Sequence, residues 1–174
     1  MERWRSSCGC RIDANTSQEW RTPLFEAMHF VVDHANAIYD SFAPPLSPHH
    51  AVLLRESMTL MADPTLAHTE EFFIRHKVAD EHSRDRLMLL FEMVRAAQAS
   101  LTSCAWFFDD FGGLEGRIVL RWAARAVELA AEFAATIEPE LLARLREIRS
   151  NRRETGDAAT LYLSLKTREA RGRI

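Results

Sequence analysis

Apolar residues recur at intervals of three and four along most of this chain, a pattern typical of helices that bury one face. The clearest case is the stretch 19–42, which the Pro44–Pro45 pair ends because proline cannot continue a helix. Its apolar positions are Leu24, Phe25, Met28, Val31, Val32, Ala35, Ile38, Tyr39 and Phe42. The pattern predicts one long amphipathic helix near the start of the chain.

Further helical patterns follow this one, and nothing alternates with the period of two that strands require. They cover residues 49–61, 65–78, 84–101, 114–136, 138–150 and a short stretch at 161–165. Ser83 is the predicted N-cap of the stretch that follows it. The fold class is therefore all-α, a multi-helix bundle of about six or seven helices. Residues 1–18 show no helical period, so we divide the chain into an irregular Trp/Cys-containing segment, 1–18, and a helical bundle domain, 19–174.

Composition and charge exclude some classes of function for this chain. A chain of 174 residues with 47% hydrophobic content can bury one ordinary core. The 22 basic and 25 acidic residues leave a net charge of -3, which offers no basic face for nucleic acid. No apolar run is long enough for a membrane span, and the start of the chain lacks a signal peptide pattern, so we predict a cytoplasmic protein that binds neither nucleic acid nor membrane.

The stretch Ser-Cys-Ala-Trp-Phe-Phe-Asp-Asp, residues 103–110, is unusual for a connection between helices, and we call it the aromatic-acidic segment. Sugars bind to flat aromatic faces and to carboxylates that accept hydrogen bonds from hydroxyl groups. Trp106 beside Asp109 and Asp110 would supply both contacts. In the alternative interpretation, Trp106, Phe107 and Phe108 fill the core and Asp110 caps the fifth helix.

The three cysteines and two arginines are interpreted as supports for this segment. A zinc site built on Cys8, Cys10 and Cys104 is disfavoured because a Cys-X-Cys pair is tight for one tetrahedral ion. A redox pair of Cys8 and Cys10 is an alternative, but thiols buried under the segment are the favoured interpretation. On the fifth helix, Arg121 and Arg125 lie one turn apart. We predict that Arg125 is buried against Asp109 or Asp110, with a surface pair to Glu128 as the alternative.

Several motifs in order give the chain a family resemblance. They are Trp4-Arg5, Cys8-Gly9-Cys10, Gln-Glu-Trp-Arg-Thr-Pro-Leu at 18–24, the aromatic-acidic segment, Leu-Arg-Trp-Ala-Ala-Arg-Ala at 120–126, Ser150-Asn151, Gly156 and Leu161-Tyr162. Together they resemble the helical domain of unknown function that follows the catalytic barrel in bacterial proteins related to glycoside hydrolase family 57. That family usually has glycine where this chain has Ala105, which would strain a turn that needs positive φ.

The resemblance implies an accessory role without catalysis by this chain. Family 57 enzymes carry their nucleophilic glutamate and acid aspartate on the barrel, which these residues do not include, and retaining glycoside hydrolysis needs both. The chain looks like a C-terminal piece, separate or truncated. We therefore predict no catalytic residue, no metal and no cofactor. The expected substrate-binding residues are Trp4, Trp20, Arg21, Trp106, Asp109 and Asp110, and the expected supporting residues are Cys8, Cys10, Cys104, Arg121 and Arg125.

Two functions follow as hypotheses. The first is an accessory domain that completes a glucan-binding cleft, with an oligosaccharide and a catalytic barrel as partners. The second is a free-standing helical module that binds another protein and has no sugar role. The first hypothesis predicts an exposed apolar face around Trp4, Trp20 and Trp106.

Overall fold

The structure, a computed structural model, describes residues 6–63 and 65–171, with side chains as far as residue 166. The described residues form seven α-helices and no strand, so the prediction of an all-α bundle is confirmed. The helices are α1 (Arg21–Phe42), α2 (His50–Ala62), α3 (Leu66–Arg75), α4 (Glu81–Ala99), α5 (Leu114–Ala131), α6 (Glu138–Arg146) and α7 (Ala158–Arg171). No described helix is long and apolar enough to cross a bilayer.

The core forms where α1 meets α4 and α5, because each of these helices carries an apolar stripe at helical spacing. α4 and α5 pack along one another, and α7 covers α5 while α6 packs on α1. Fully buried side chains of this core include Leu24, Met28, Val31, Leu87, Leu90, Phe91, Val119 and Leu120. The same core extends to α2 and α3, since Leu53, Leu60, Phe72 and Phe73 belong to it. α2 packs on α4, and the Phe72 ring of α3 meets Phe91 of α4 edge-on at 6.1 Å between centroids.

Several helix boundaries differ from the sequence prediction, among them the end of α6, which lies at Arg146, the start of α4 and the end of α5. α4 begins earlier, because Asp80 is its N-cap and its carboxylate accepts a hydrogen bond of 2.8 Å from the backbone N–H of Ser83. Ser83 is thus a partner of the cap, and its prediction as the N-cap is wrong. α5 ends at Ala131. The chain leaves the helix through Ala134, whose φ of 56° lies in the left-handed region and cannot continue a helix.

A short hairpin-like loop connects α6 to α7 and fixes the position of Ser150 and Asn151. An isolated antiparallel bridge joins Arg149 to Asp157. The Ser150 N–H donates to the Gly156 carbonyl oxygen at 2.9 Å, and Gly156 turns the chain with a φ of 71°. The loop therefore presents its first residues to the neighbouring aromatic-acidic segment in one defined conformation.

The start of α5 packs tightly onto the chain that precedes it, which leads to a prediction. A Cβ atom added at Gly116 would overlap the Phe111 carbonyl oxygen and lie 2.6 Å from its carbonyl carbon. We expect Gly116→Ala to destabilise the fold by about 1–3 kcal/mol, because backbone has to move. This corresponds to a fall of about 2–12 °C in the melting temperature, measured by circular dichroism.

Gly113→Ala is the matched control for this substitution. A Cβ atom at Gly113 would have its nearest neighbour at 3.6 Å, and only an N-cap preference is lost. We expect it to cost less than about 1 kcal/mol. Equal melting temperatures for the two variants would contradict the close approach at Gly116.

Candidate functional site

The aromatic-acidic segment begins as a short 3-10 helix, Ser103–Phe107, which turns Trp106 into the core. Trp106 is 2% exposed, and its indole N–H donates to the Arg21 carbonyl oxygen at 3.0 Å. Its ring meets Phe25 edge-on at 6.0 Å between centroids. The expectation of an open aromatic face at Trp106 is therefore wrong, because both the ring and its N–H are used inside the protein. The alternative that Trp106 fills the core is confirmed.

Trp20 and Arg21 are buried beside Trp106. The Trp20 indole N–H donates to the Asp109 carbonyl oxygen at 3.0 Å, and its ring packs on Phe111. Arg21 is 2% exposed, and its Nη2 donates to the Phe108 carbonyl oxygen at 3.2 Å. The exposed apolar face predicted around Trp20 and Trp106 is thus absent from the described residues, and Trp4 lies outside them.

Asp109 holds the irregular N-terminal segment against the bundle. Its Oδ2 accepts hydrogen bonds of 2.8 Å from the backbone N–H groups of Ile12 and Asp13. The N–H of Asp13, followed by that of Ile12, lowers the pKa of Asp109, while partial desolvation opposes them. Because charge-assisted bonds to backbone are strong, this carboxylate is a structural clamp.

Asp110 is buried and clamps a different part of the chain. Its Oδ2 accepts from the Asn151 N–H at 2.6 Å, and both of its oxygens accept from the Ser150 hydroxyl. Its Oδ1 also accepts from the Gly112 N–H at 2.7 Å. The alternative that Asp110 caps the fifth helix is wrong, because the N-cap of α5 is Gly113.

Asn151 connects the residues around the aromatic-acidic segment, although it is not among the site residues predicted from the sequence. Its side-chain Oδ1 accepts from the Ser17 N–H at 2.8 Å, and its Nδ2 donates to the Ser17 and Asp109 carbonyl oxygens. The amide thus joins three segments that are distant in sequence. The Ser150-Asn151 motif was the available signal, but spacing alone does not reveal its partners.

Arg125 does not contact the aromatic-acidic segment, so the prediction that it pairs with Asp109 or Asp110 is wrong. It is partly exposed and pairs with Glu128 at 3.1 Å and Glu92 at 3.7 Å. Arg125 and Arg121 instead line a cleft between α4 and α5 of about 410 Å³, together with Trp122. The reason is position, since Arg125 lies about three turns beyond the start of α5 at Leu114, whereas the segment lies before that start.

The cysteines carry thiols, but they are not buried beneath the segment as predicted. Cys10 and Cys104 are exposed and Cys8 is half-buried. Cys8 and Cys10 line a cleft of about 250 Å³ with Arg21, Phe107 and Asp109. The small side chains therefore lie at the rim of a cleft, where they are open to solvent.

Ala105 is accommodated without strain. It is buried in the 3-10 helix, and the described non-glycine residues with positive φ are Lys77 and Ala134. The turn before Trp106 therefore does not require a glycine, and the methyl group of Ala105 packs in the core.

The outer side of the segment carries an apolar face. Phe107 is 57% exposed and Phe108 is 37% exposed, and their rings meet edge-on at 5.3 Å between centroids. Both line a cleft of about 410 Å³ with Cys104 and Glu115. We define the apolar face as these two rings with exposed Ile12, which lines another cleft together with Phe107. Contiguous exposed apolar groups of this kind mark interaction sites.

Comparison with protein-family models matches residues 17–170 to the family described as Domain of unknown function (DUF3536). The chain belongs to this family. The DUF3536 match includes the aromatic-acidic segment, Asn151 and the apolar rings Phe107 and Phe108. Neither the curated proteins nor the solved structures gave a match.

The lowered pKa of Asp109 predicts a pH dependence of stability. The folded-state pKa lies below the unfolded value, so the carboxylate stabilises the fold above the unfolded pKa and loses this contribution as the pH falls through the folded pKa. We expect wild type to melt at a higher temperature than Asp109→Asn at pH 6. Thermal melts should show the difference shrinking below about pH 4. A difference that stays constant with pH would contradict the clamp.

Proposed function

We propose that this chain is an accessory domain that packs its apolar face against another folded domain. By the resemblance to proteins related to glycoside hydrolase family 57, that partner is a catalytic barrel. The observation that carries the proposal is the exposure of Phe107 and Phe108 on a segment that is otherwise rigidly held. Large aromatic side chains left in water cost hydrophobic free energy that a partner surface recovers.

The rigidity of the segment supports docking with little loss of conformational entropy. Trp106 anchors it from inside through the Arg21 carbonyl, and Asp110 fixes its end through Ser150 and Asn151. Because the backbone is already ordered, less conformational entropy is lost when a partner binds the two rings. Preorganised aromatic anchors at the centre of a patch are typical of binding hot spots.

In the family 57 proteins that this chain resembles, the catalytic residues lie on a barrel. Because the present chain is all-helical, we propose the barrel as its partner. The carboxylates Asp109 and Asp110 each hold backbone N–H groups of this chain. Adjacent carboxylates engaged in this way do not flank a glycosidic bond from two sides as hydrolysis requires. The proposed contribution of the chain is therefore shape and contact, with the chemistry supplied by the partner.

A binding experiment tests the docking role. The chain and the family 57-like barrel encoded in the same genome are purified separately and mixed in a sedimentation assay. We expect a complex, and we expect the double variant Phe107→Ser/Phe108→Ser to bind about thirtyfold more weakly, as loss of hot-spot aromatics costs about 2 kcal/mol. Circular dichroism checks that the variant keeps its helices.

Leu66→Ser is the control, since Leu66 is 76% exposed on α3, outside the apolar face. It should bind the barrel as wild type does. Absence of a complex at about 100 μM of each protein, or equal binding by the double variant, would refute the docking role.

A second candidate function is direct contact with a glucan, and one observation favours it. The cleft of about 250 Å³ combines the Phe107 ring with Arg11, Arg21 and Asp109. An aromatic face beside guanidinium and carboxylate groups suits a sugar ring, with its C–H surface on the aromatic and its hydroxyls on the polar groups. In this proposal Phe107 takes the stacking role that the sequence suggested for Trp106.

Isothermal titration with maltooligosaccharides tests this candidate. We expect measurable heat for wild type and for Leu66→Ser, and at least about a tenfold weaker affinity for Phe107→Ser because the stacking face is lost. No heat at millimolar sugar, or equal affinities in the three proteins, would exclude a sugar subsite in this cleft and leave the docking role as a separate question.

A further inference from the structure

The N-terminal segment brings two thiols together beside a buried positive charge. The Cys10 backbone N–H lies 3.4 Å from Cys8 Sγ and donates to it. Gly9 between them has a φ of 74°, so the chain reverses there and turns the two cysteines toward each other. A Cβ atom at Gly9 would meet nothing within 4 Å, which means that the glycine serves backbone conformation rather than close packing.

A buried arginine, Arg21, lies next to Cys8. Arg21 is only 2% exposed, and it lines the same cleft as both thiols. Its Nη1 lies 3.5 Å from Cys8 Sγ, while its Nε has no hydrogen-bond partner among the described residues. A buried guanidinium requires nearby negative charge. The Asp109 carboxylate in the same cleft interacts with Arg21 electrostatically, and Cys8 Sγ is the side-chain atom that accepts a hydrogen bond from its Nη1.

We propose that Cys8 and Cys10, with Arg21 behind them, form a thiol–disulfide exchange site for low-molecular-weight disulfides. Cys8 is the attacking group, because it receives both the Cys10 N–H and the Arg21 guanidinium. Cys10 is the resolving group, because it is exposed and adjacent in the turn. The cleft of about 250 Å³ gives the small disulfide access to Cys8.

The electrostatic surroundings favour the thiolate form of Cys8. The Cys10 N–H is the largest influence, and together with Arg21 it lowers the pKa of Cys8 to about 7 against an opposing effect of partial desolvation. Arg11 also lines the cleft and adds positive charge. Asp109 faces the same cleft, but its Oδ2 is engaged with the N–H groups of Ile12 and Asp13.

The exchange proceeds in two balanced steps. The Cys8 thiolate attacks one sulfur of the small disulfide, whose S–S bond breaks, and the other sulfur leaves as a thiolate with the bonding electron pair. Cys10 then loses its proton to solvent and attacks Cys8 Sγ, which releases the second small thiolate. The protein gains a Cys8–Cys10 disulfide and loses two electrons, and the small disulfide is reduced to two thiols.

Alkylation rates test the first step. The variant Cys10→Ser/Cys104→Ser leaves Cys8 as the sole thiol and keeps the backbone N–H at position 10. We expect its reaction with iodoacetamide to reach half of its maximal rate near pH 7 in the native protein. The same variant unfolded in urea should reach it near about pH 8.5, as ordinary cysteine does. Identical native and unfolded profiles would overturn the proposal.

Mass spectrometry of the full chain with oxidised glutathione tests the second step. We expect wild type to lose two hydrogens through a Cys8–Cys10 disulfide and to retain no glutathione on Cys8. Cys10→Ser should retain one glutathionyl group on Cys8, whereas Cys104→Ser should behave as wild type. Glutathione retained on Cys8 of wild type would show that Cys10 does not resolve it, and exchange at Cys104 alone would overturn the site. Because peptides are assigned individually in wild type, the result stands even if a variant folds poorly.

Discussion

Two adjacent carboxylates determine how the non-helical parts of this protein are arranged. Asp109 binds the N-terminal segment and Asp110 binds the loop between α6 and α7, so neighbouring residues hold two pieces of chain that are distant in sequence. Backbone N–H groups outside helices need other acceptors, and an ionised carboxylate is the strongest acceptor that a side chain offers. The orientation of the apolar rings and of the thiols follows from these bonds.

The helices could be predicted from the sequence because their signal is local. The stripe in 19–42 and the stripe around Leu120 each repeat at helical spacing, and the structure forms α1 and α5 there. The start of α4 could not be placed to the residue, since both Asp80 and Ser83 are good caps and only geometry decides between them. Helix existence is thus a property of the pattern, and helix boundaries depend on individual hydrogen bonds.

The candidate site was harder to predict because residue type does not reveal which way a side chain points. Trp106 and Phe107 are neighbours of similar character, yet the 3-10 helix buries the first and exposes the second. Arg125 carries the same charge as Arg21, but Arg21 alone is next to the aromatic-acidic segment. These differences arise from tertiary packing, which decides which side chains of a short element point inward. This choice leaves no repeating pattern in the sequence.

The separation in sequence of the clamped groups has a consequence for folding. Asp109 meets Ile12 and Asp13 across 97 and 96 residues, and Asn151 meets Ser17 across 134. Closing loops of this length costs chain entropy that the helices must first offset by packing together. We therefore expect the N-terminal segment to dock after the helices have packed during folding, and to detach before the helices separate during unfolding. Its amide protons should exchange with solvent through a local opening whose free energy is much lower than that of global unfolding of the bundle.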